Sequence, residues 1–561
     1  LPRLSRLWTL KLPIDGLRKS APLKLERLES VAHIRMSSTQ AGASQGGWSS
    51  IGSKAKLIGA AAVAVAAVAA GAYVFMKRSG RVSKGSEEEE TTHHNVHDAA
   101  LFPTLVQFEE ATKEIIEMFE VPVDVLEAVA HGIRDEMTAG LRVHSDCSLK
   151  MLPSYVDKLN VPASGQVVLA LDMGGTNLRV MRVQVCPGGE AKTLSVTKHT
   201  IPQNFMLGPG SALFDFIAEC VIQEFPAEDD LAGVPLGFTF SFPLLQDAIN
   251  RGKLVEWTKG FRASDVEGRD VAELLNSSFQ HAGKKIRVTA LVNDTVGTLL
   301  TGAFSSQKSD TLIGLILGTG SNACYLEKAD AIPKWAGPEI ETGHMVINTE
   351  WGAYDSPAYS TLPQNKFDIE LDEMSLNPKK QHYEKMLSGM YLGEIARLVL
   401  QEYCAEINLF GGQVSTNITT PYRFGTHFMS RVEEDTTADL AGVSAVLKNI
   451  GIHQSTLPVR RFVKTVCHLV AKRSARLAAA GIAAIARKID KAASPLNVAI
   501  DGSVFELYPG YQNWMEVALH DMGLTQCTLA LAKDGSGLGA ALTAAVMGPP
   551  APSASSSTSA N

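Results

Sequence analysis

The sequence predicts a two-lobed α/β protein with a ligand cleft between its lobes. Three observations carry that expectation. Aliphatic runs of strand length recur between Val167 and Ile500, separated by longer stretches with apolar residues at helical spacing. Aspartate-led glycine turns adjoin apolar segments in both halves of the chain: Asp172-Met173-Gly174-Gly175-Thr176-Asn177, Asp501-Gly502-Ser503 and Asp534-Gly535-Ser536-Gly537. The length, 561 residues, exceeds what one compact core covers, so two or more lobes plus tails are expected.

Charge and cysteine content narrow the class. Lys and Arg total 52 against 59 Asp and Glu, a formal net charge of -7, which argues against nucleic acid as the main partner. The seven cysteines are scattered without a Cys-x-x-Cys pair, as expected of free thiols in a reducing compartment.

The sequence opens on Leu1, and the change of composition after Met36 makes Met36 the expected initiator; residues 1–56 read as a leader. Residues 57–76 form an unbroken apolar stretch, the length of a bilayer span, although Ala and Val insert weakly. Lys54 and Lys56 precede it, and the heavier positive flank, Lys77, Arg78, Arg81 and Lys84, follows. The expectation is an apolar anchor helix with the bulk of the chain on the cytosolic side. A secretory signal and a plastid transit peptide are the alternatives. Residues 77–97, with four consecutive glutamates and His93, His94 and His97, read as a charged linker rather than a metal site. Residues 549–561 read as a disordered tail.

The globular part divides approximately into a small lobe, 98–295, and a large lobe, 296–548. Phe108 to Ala139 predicts two helices broken at Val121-Pro122-Val123. Val167 to Leu171 predicts a buried strand, and Leu178 to Val185 its hairpin partner behind the glycine turn. Further strands are expected at Leu236–Phe242, Ile286–Val292, Leu312–Leu317 and Leu496–Ile500, and long helices over Glu384–Ala405 and Val463–Ile489. The alanines of the last helix suit close packing on a neighbour. The similar Asp-Gly turns in the two halves hint at duplicated lobes.

Paired glycines let backbone approach a ligand, and their N–H groups with the Thr hydroxyl suit phosphate oxygens. Asp172, at a strand end, suits the neighbourhood of a phosphate-bound magnesium ion, directly or through water. Other clusters combine hydroxyls, amides and carboxylates: Thr239 to Pro243, Trp257 to Phe261, Leu291 to Thr295, Gly318 to Asn322 and Asn348 to Gly352. A polyol needs such groups, since each buried hydroxyl both donates and accepts. Taken singly, Asn293-Asp294 reads as readily as a helix N-cap, Lys259 as a surface lysine, and Glu350 as a salt-bridged acid.

In combination and order, these segments resemble the eukaryotic hexokinases, over roughly Leu101 to Val546. Glu384-Lys385-Met386, Ser388 to Glu394, Asp501 to Phe505 and Asp534 to Ala540 extend the match. The Ala-rich anchor is similar to that of membrane-anchored plant and algal members. The resemblance implies the actin-like ATPase, ribonuclease H-like fold, and ATP with Mg2+ as cofactors. It implies phosphorylation of glucose, and of fructose and mannose, at the 6-hydroxyl, the first step of glycolysis, by a monomer.

By the same resemblance Asp294 would be the base and Lys259 would face the transferred phosphoryl group. Ser241, Thr258, Lys259, Asn293, Asp294, Asn322, Glu350 and Glu384 would bind the hexose. Asp172, Gly174, Gly175, Thr176 and Asn177 would form the first phosphate site. Thr319, Asp501, Gly502 and Ser503 would complete phosphate binding, and Gly535, Ser536, Gly537 and Gly539 would contact adenosine. Closure over bound sugar would exclude water. Three positions depart from the family pattern: Lys379 stands where Gly is usual, Thr349 for Met, and His344 for Glu. Two rival functions are a non-catalytic sugar-sensing regulator on this fold and an actin-like chaperone ATPase.

Overall fold

The computed structural model describes residues 102–159, 166–175, 177–186, 191–225, 234–306, 310–355 and 361–547, all within the compact unit 95–561. The leader, the apolar stretch 57–76, the whole linker, the tail and Thr176 lie outside them. Among the described residues no helix is long and apolar enough to cross a membrane.

In chain order the strands are β1 (Leu152–Pro153), β2 (Val167–Gly174), β3 (Asn177–Val185), β4 (Ala191–Thr200), β5 (Leu236–Phe240), β6 (Leu244–Ala248), β7 (Arg251–Leu254), β8 (Val288–Val292), β9 (Thr311–Leu317), β10 (Ser321–Lys328), β11 (His344–Asn348), β12 (Leu496–Asp501) and β13 (Cys527–Leu531). The first sheet has the order β4-β3-β2-β5-β8, and the second β1-β11-β10-β9-β12-β13. Each contains an antiparallel three-strand meander whose first strand, β2 or β9, runs parallel to two later strands. The two halves therefore share one plan, as the paired Asp-Gly turns hinted. The glycine turns Gly174-Gly175 and Gly318-Gly320 both close the meander's first hairpin.

Continuous aliphatic runs give strands buried on both faces. β2 and β5 are almost wholly buried, whereas β4, a polar-alternating edge strand, is exposed. One face of the first sheet packs on helices Gly210–Glu224 and Val271–His281. The other face packs on helices Asp294–Ser306 and Gly535–Met547, which lie between the two sheets with Cys324 and Val346 of the second. The second sheet and most remaining helices share one large core. Its spine is the helix Leu457–Lys488, where Ala475, Ala478, Ala479, Ala480, Ala483 and Ala484 are fully buried. A Cβ on Gly481 would lie 2.5 Å from the Trp351 ring, the close packing its composition predicted.

The partition is less simple than a single break near residue 295. Helices Leu105–Phe119 and Val123–Gly140 belong to the large core of the second sheet, because Phe108, Ile115, Leu126 and Ile133 bury their apolar face there. Helix Gly535–Met547 returns to cover the first sheet. The expected helix over Glu384–Ala405 is two, His382–Leu387 and Gly389–Glu406, broken at Ser388.

Candidate active site

Asp172 is carried to the lip of the first sheet by the buried run of β2. Arg179 sits directly across from it on β3. Its Nε donates to Asp172 Oδ2 at 2.8 Å, its Nη1 to Asp534 at 2.5 Å and its Nη2 to Ser536 Oγ at 2.8 Å. Ser536 Oγ in turn donates to Asp172 Oδ2 at 2.8 Å. The strand-end carboxylate is thus held by an arginine and a hydroxyl, joining the first sheet to the start of helix Gly535–Met547. Asp172 above all holds the Arg179 guanidinium above its ordinary pKa.

Asp501 ends β12 on the opposite sheet. Burial pushes its carboxyl up to about 6, against the pull of Arg179 and of the Ser536 N–H, which donates to it at 3.2 Å. Five carboxylates line the cleft (Asp172, Asp294, Asp501, Glu506 and Asp534) against four cations (Arg179, Lys198, Lys259 and Lys533), a surplus of one negative charge with Asp172 and Asp501 on opposite sheets. That fits a phosphate-borne Mg2+, an ion held by one or two carboxylates plus phosphate oxygens rather than by an all-protein cage. Among the described residues no group of three or more His, Cys, Asp and Glu converges as such a cage.

The sign of the Asp501 shift makes a prediction. Its folded pKa lies above that of an unfolded Asp, so ionisation opposes folding, and the cost grows from about pH 4 to about pH 6. Asp501→Asn is expected to stabilise the ligand-free protein at neutral pH by ~1–2 kcal/mol, an advantage that fades as pH falls through that window. Paired thermal melts across pH check it, and equal melting at neutral pH would refute it.

The two glycine turns face one another across a cleft of ≈ 490 Å³. A Cβ on Gly175, at φ +51, would come 3.8 Å from Thr319, and one on Gly502, at φ +124, would strike Leu317 O at 2.3 Å. Asp172, Gly174, Gly175 and Asn177 line this cleft, as do Thr319, Asp501, Gly502, Ser503 and Ser536. Gly535, Gly537 and Gly539 do not. They allow helix packing instead: their Cβ atoms would meet Thr298 at 3.3 Å, Met181 Sδ at 2.5 Å and Gly297 O at 2.0 Å. Packing at the start of this helix is thus a role of these three glycines beside the adenosine contacts that the resemblance implies. Thr176 lies outside the described residues.

A second, smaller pocket opens from the same cleft, and Ser241, Lys259, Asp294 and Gly320 line both. Asn293 and Asp294 follow β8 and begin helix Asp294–Ser306. Asn293 Oδ1 accepts from Thr295 N at 3.0 Å and Oγ1 at 2.7 Å, so the capping reading holds alongside the site reading. Asp294 Oδ1 also accepts from Thr295 N, at 3.0 Å. Lys259, at φ +54, donates from Nζ to Ser241 O at 2.8 Å and stands 3.7 Å from Asp294 Oδ2.

Across the pocket, Asn322 Nδ2 donates to Asn348 Oδ1 at 2.8 Å and to Glu350 Oε1 at 3.3 Å, and Asn348 Nδ2 donates to Glu350 at 2.8 Å. Glu384 accepts from Ser321 N at 2.9 Å; a Cβ on Gly320 would lie 2.6 Å from its Oε2. Burial raises the carboxyl pKa of Glu350, opposed first by Lys150, and of Glu384, opposed first by Lys259. Carboxylates short of donors in a polar pocket suit a ligand that brings hydroxyls. Thr258 completes the lining, so every predicted hexose-binding residue is brought together.

Sequence reasoning missed Gln381 in this pocket, and Arg179, Lys198, Glu506 and Lys533 in the cleft. Gln381 adopts φ +58, and only its place three residues before the family-matched Glu384-Lys385-Met386 offered a signal. Among the three departures, Lys379 has φ +63, a left-handed conformation that explains why Gly suits the position. Thr349 donates to Ala323 O at 2.7 Å, and His344 is exposed at the start of β11; none of the three lines the pocket. Lys379→Gly is expected to raise stability by up to ~1 kcal/mol in a denaturant melt, with sugar affinity unchanged within about twofold.

Known proteins share this architecture. Family profiles described as Hexokinase match residues 111–304 and 312–546. Hexokinase-2 of Solanum tuberosum is 44% identical over 454 residues, covering 77% of this chain and 90% of the relative. Hexokinase-1 of Spinacia oleracea is 42% identical over 453 residues, with the same coverage. Among solved structures, a Schistosoma mansoni hexokinase complexed with glucose superposes with a TM-score of 0.73 at 35% identity, covering 78% of this chain and 99% of that one.

Proposed function

Since the chain belongs to the hexokinase family, and so is an ATP-using sugar kinase, we propose that it phosphorylates glucose, and with it fructose and mannose, at the 6-hydroxyl. The observation that carries the reading is the junction of the two pockets. There one ammonium and one carboxylate, Lys259 and Asp294, stand 3.7 Å apart between the glycine turns and the amide-carboxylate network.

In this reading Ser241, Thr258, Asn293, Asn322, Glu350 and Glu384 orient the hexose. The sugar 6-oxygen attacks the γ-phosphorus of ATP, its proton passes to the Asp294 carboxylate, and the bond to the β-phosphate oxygen breaks, releasing ADP. Lys259 faces the phosphoryl oxygens where negative charge gathers. The N–H groups of the Gly174-Gly175 turn and of Thr319 and Gly320 receive phosphate oxygens, the Gly318 N–H being donated to Gly320 O at 3.0 Å. Mg2+, held by the phosphates and the Asp172 and Asp501 carboxylates, would neutralise phosphate charge. The surrounding polar lining keeps the sugar in place of water.

The same reading tethers a monomer to a membrane through 57–76 with the enzyme facing the cytosol, most simply the mitochondrial outer membrane, with the plastid as the alternative. Its support is the basic flank after the apolar run.

The test is hexose 6-phosphate formation from MgATP by the purified chain with each hexose in turn. Product with glucose supports the reading, and turnover with the other two extends it. Glucose binding without product would favour the sugar-sensing regulator, and ATP hydrolysis without sugar phosphate a different actin-like ATPase.

A further inference from the structure

We propose that Glu256, clamped between Lys150 and Lys380, is a latch that holds the lobes together beside the sugar pocket and sets how tightly the hexose is retained. Glu256 follows β7, between Leu254 and Trp257, which pack in the first-sheet core. Lys150 lies between Leu149 and Met151, both in the second-sheet core, just before β1 pairs with β11. Lys380 immediately precedes Gln381 and the helix that carries Glu384.

The carboxylate spans the lobes. Its Oε1 accepts from Lys150 Nζ at 2.6 Å and its Oε2 from Lys380 Nζ at 2.9 Å. Arg262 Nη2 adds a parallel link to Leu376 O at 3.2 Å. Moving the lobes apart on this side breaks all three contacts together.

The bonds are unequal. The Lys150 and Glu256 side chains are 23% and 31% exposed, whereas that of Lys380 is 63% exposed, so the sheltered pair carries more of the effect. Burial alone would raise the Glu256 carboxyl, but hydrogen bonds from the two lysines outweigh it and hold it below its ordinary value. Lys150 is also the first charge opposing the burial-driven rise at Glu350, so the latch reaches the sugar pocket through the residue that fastens it. Neither Glu256 nor Lys380 lines the sugar pocket; they are positioning residues, not ligands.

The inference rests on the sugar-kinase reading, and Glu256→Gln in the full chain tests it. A latch that stabilises the closed, sugar-holding arrangement raises glucose KM ~3–10-fold when lost and leaves kcat within about twofold. Raising ionic strength weakens glucose binding by the unaltered protein and has less effect on the variant. Glucose KM within twofold of the unaltered chain, or a loss of kcat at unchanged KM, overturns the proposal. Should Glu256→Gln fail to fold, Lys380→Met decides. Its side chain is largely exposed, and a rise of ~2–3-fold in KM is expected, an unchanged KM being fatal. If the unaltered chain makes no sugar phosphate, the kinase reading fails separately, and calorimetric glucose binding by the same variants still judges the latch.

Discussion

Replacing Asp294 with Ala is expected to lower kcat for sugar phosphorylation ~10²–10⁴-fold, the range for loss of a positioned general base. The residue is fixed at the first position of its helix, with one oxygen accepting the Thr295 N–H at 3.0 Å and the other 3.7 Å from Lys259. Side-chain shape matters less than charge here, so Asp294→Asn should fall nearly as far. Sugar affinity should change far less, because Asn322, Glu350 and Glu384 line the opposite wall and would still hold the hexose. Steady-state rates with saturating MgATP and glucose, beside calorimetric glucose binding, separate the two effects. A fall of less than tenfold would remove Asp294 from the role of base.

The second large effect is on stability. Gly539→Ala places a Cβ 2.0 Å from Gly297 O, a backbone atom of the neighbouring helix that no rotamer change moves aside. Gly237 makes a similar approach from β5, where a Cβ would lie 2.1 Å from Ala540 O. Overpacking of this kind costs ~1–3 kcal/mol and more where backbone resists, so Gly539→Ala is expected at or above the upper end. Denaturant unfolding measures it. A stable Gly539→Ala protein with only a raised KM for ATP would refute the packing cost and support the adenosine contact expected from sequence.

Those glycines mark where sequence reading stops. Asp534-Gly535-Ser536-Gly537 looks like a turn because three small polar residues carry no helical pattern, yet Gly535 begins a helix. Gly535 and Gly539 thin it for a helix about 240 residues earlier and Gly537 for Met181 of β3, a reason visible only in tertiary contact. The strand-end turns were legible because aliphatic runs announce β2, β5, β8, β9 and β12, and the polar residues after them have few other uses. Lys379 and Gln381 were opaque in another way: neither residue type advertises a positive φ. The break at Ser388 hides inside a good helical pattern. It frees Gly389 N and Met390 N to hold Gly318 O at 2.8 Å and Thr319 O at 3.2 Å, pinning the second glycine turn.

The return of the last helix to the first sheet has a consequence for how the chain is made. β8 completes the first sheet at Val292, but helix Gly535–Met547, which covers part of its inner face, is synthesised roughly 240 residues later. At about 5–20 residues per second that delay is ~12–50 s. Throughout it, Val168, Ala170 and Val183 await part of their cover while the nascent chain lengthens. Chains ended before Gly535 should therefore be chaperone clients that aggregate on release, however well their own strands pair.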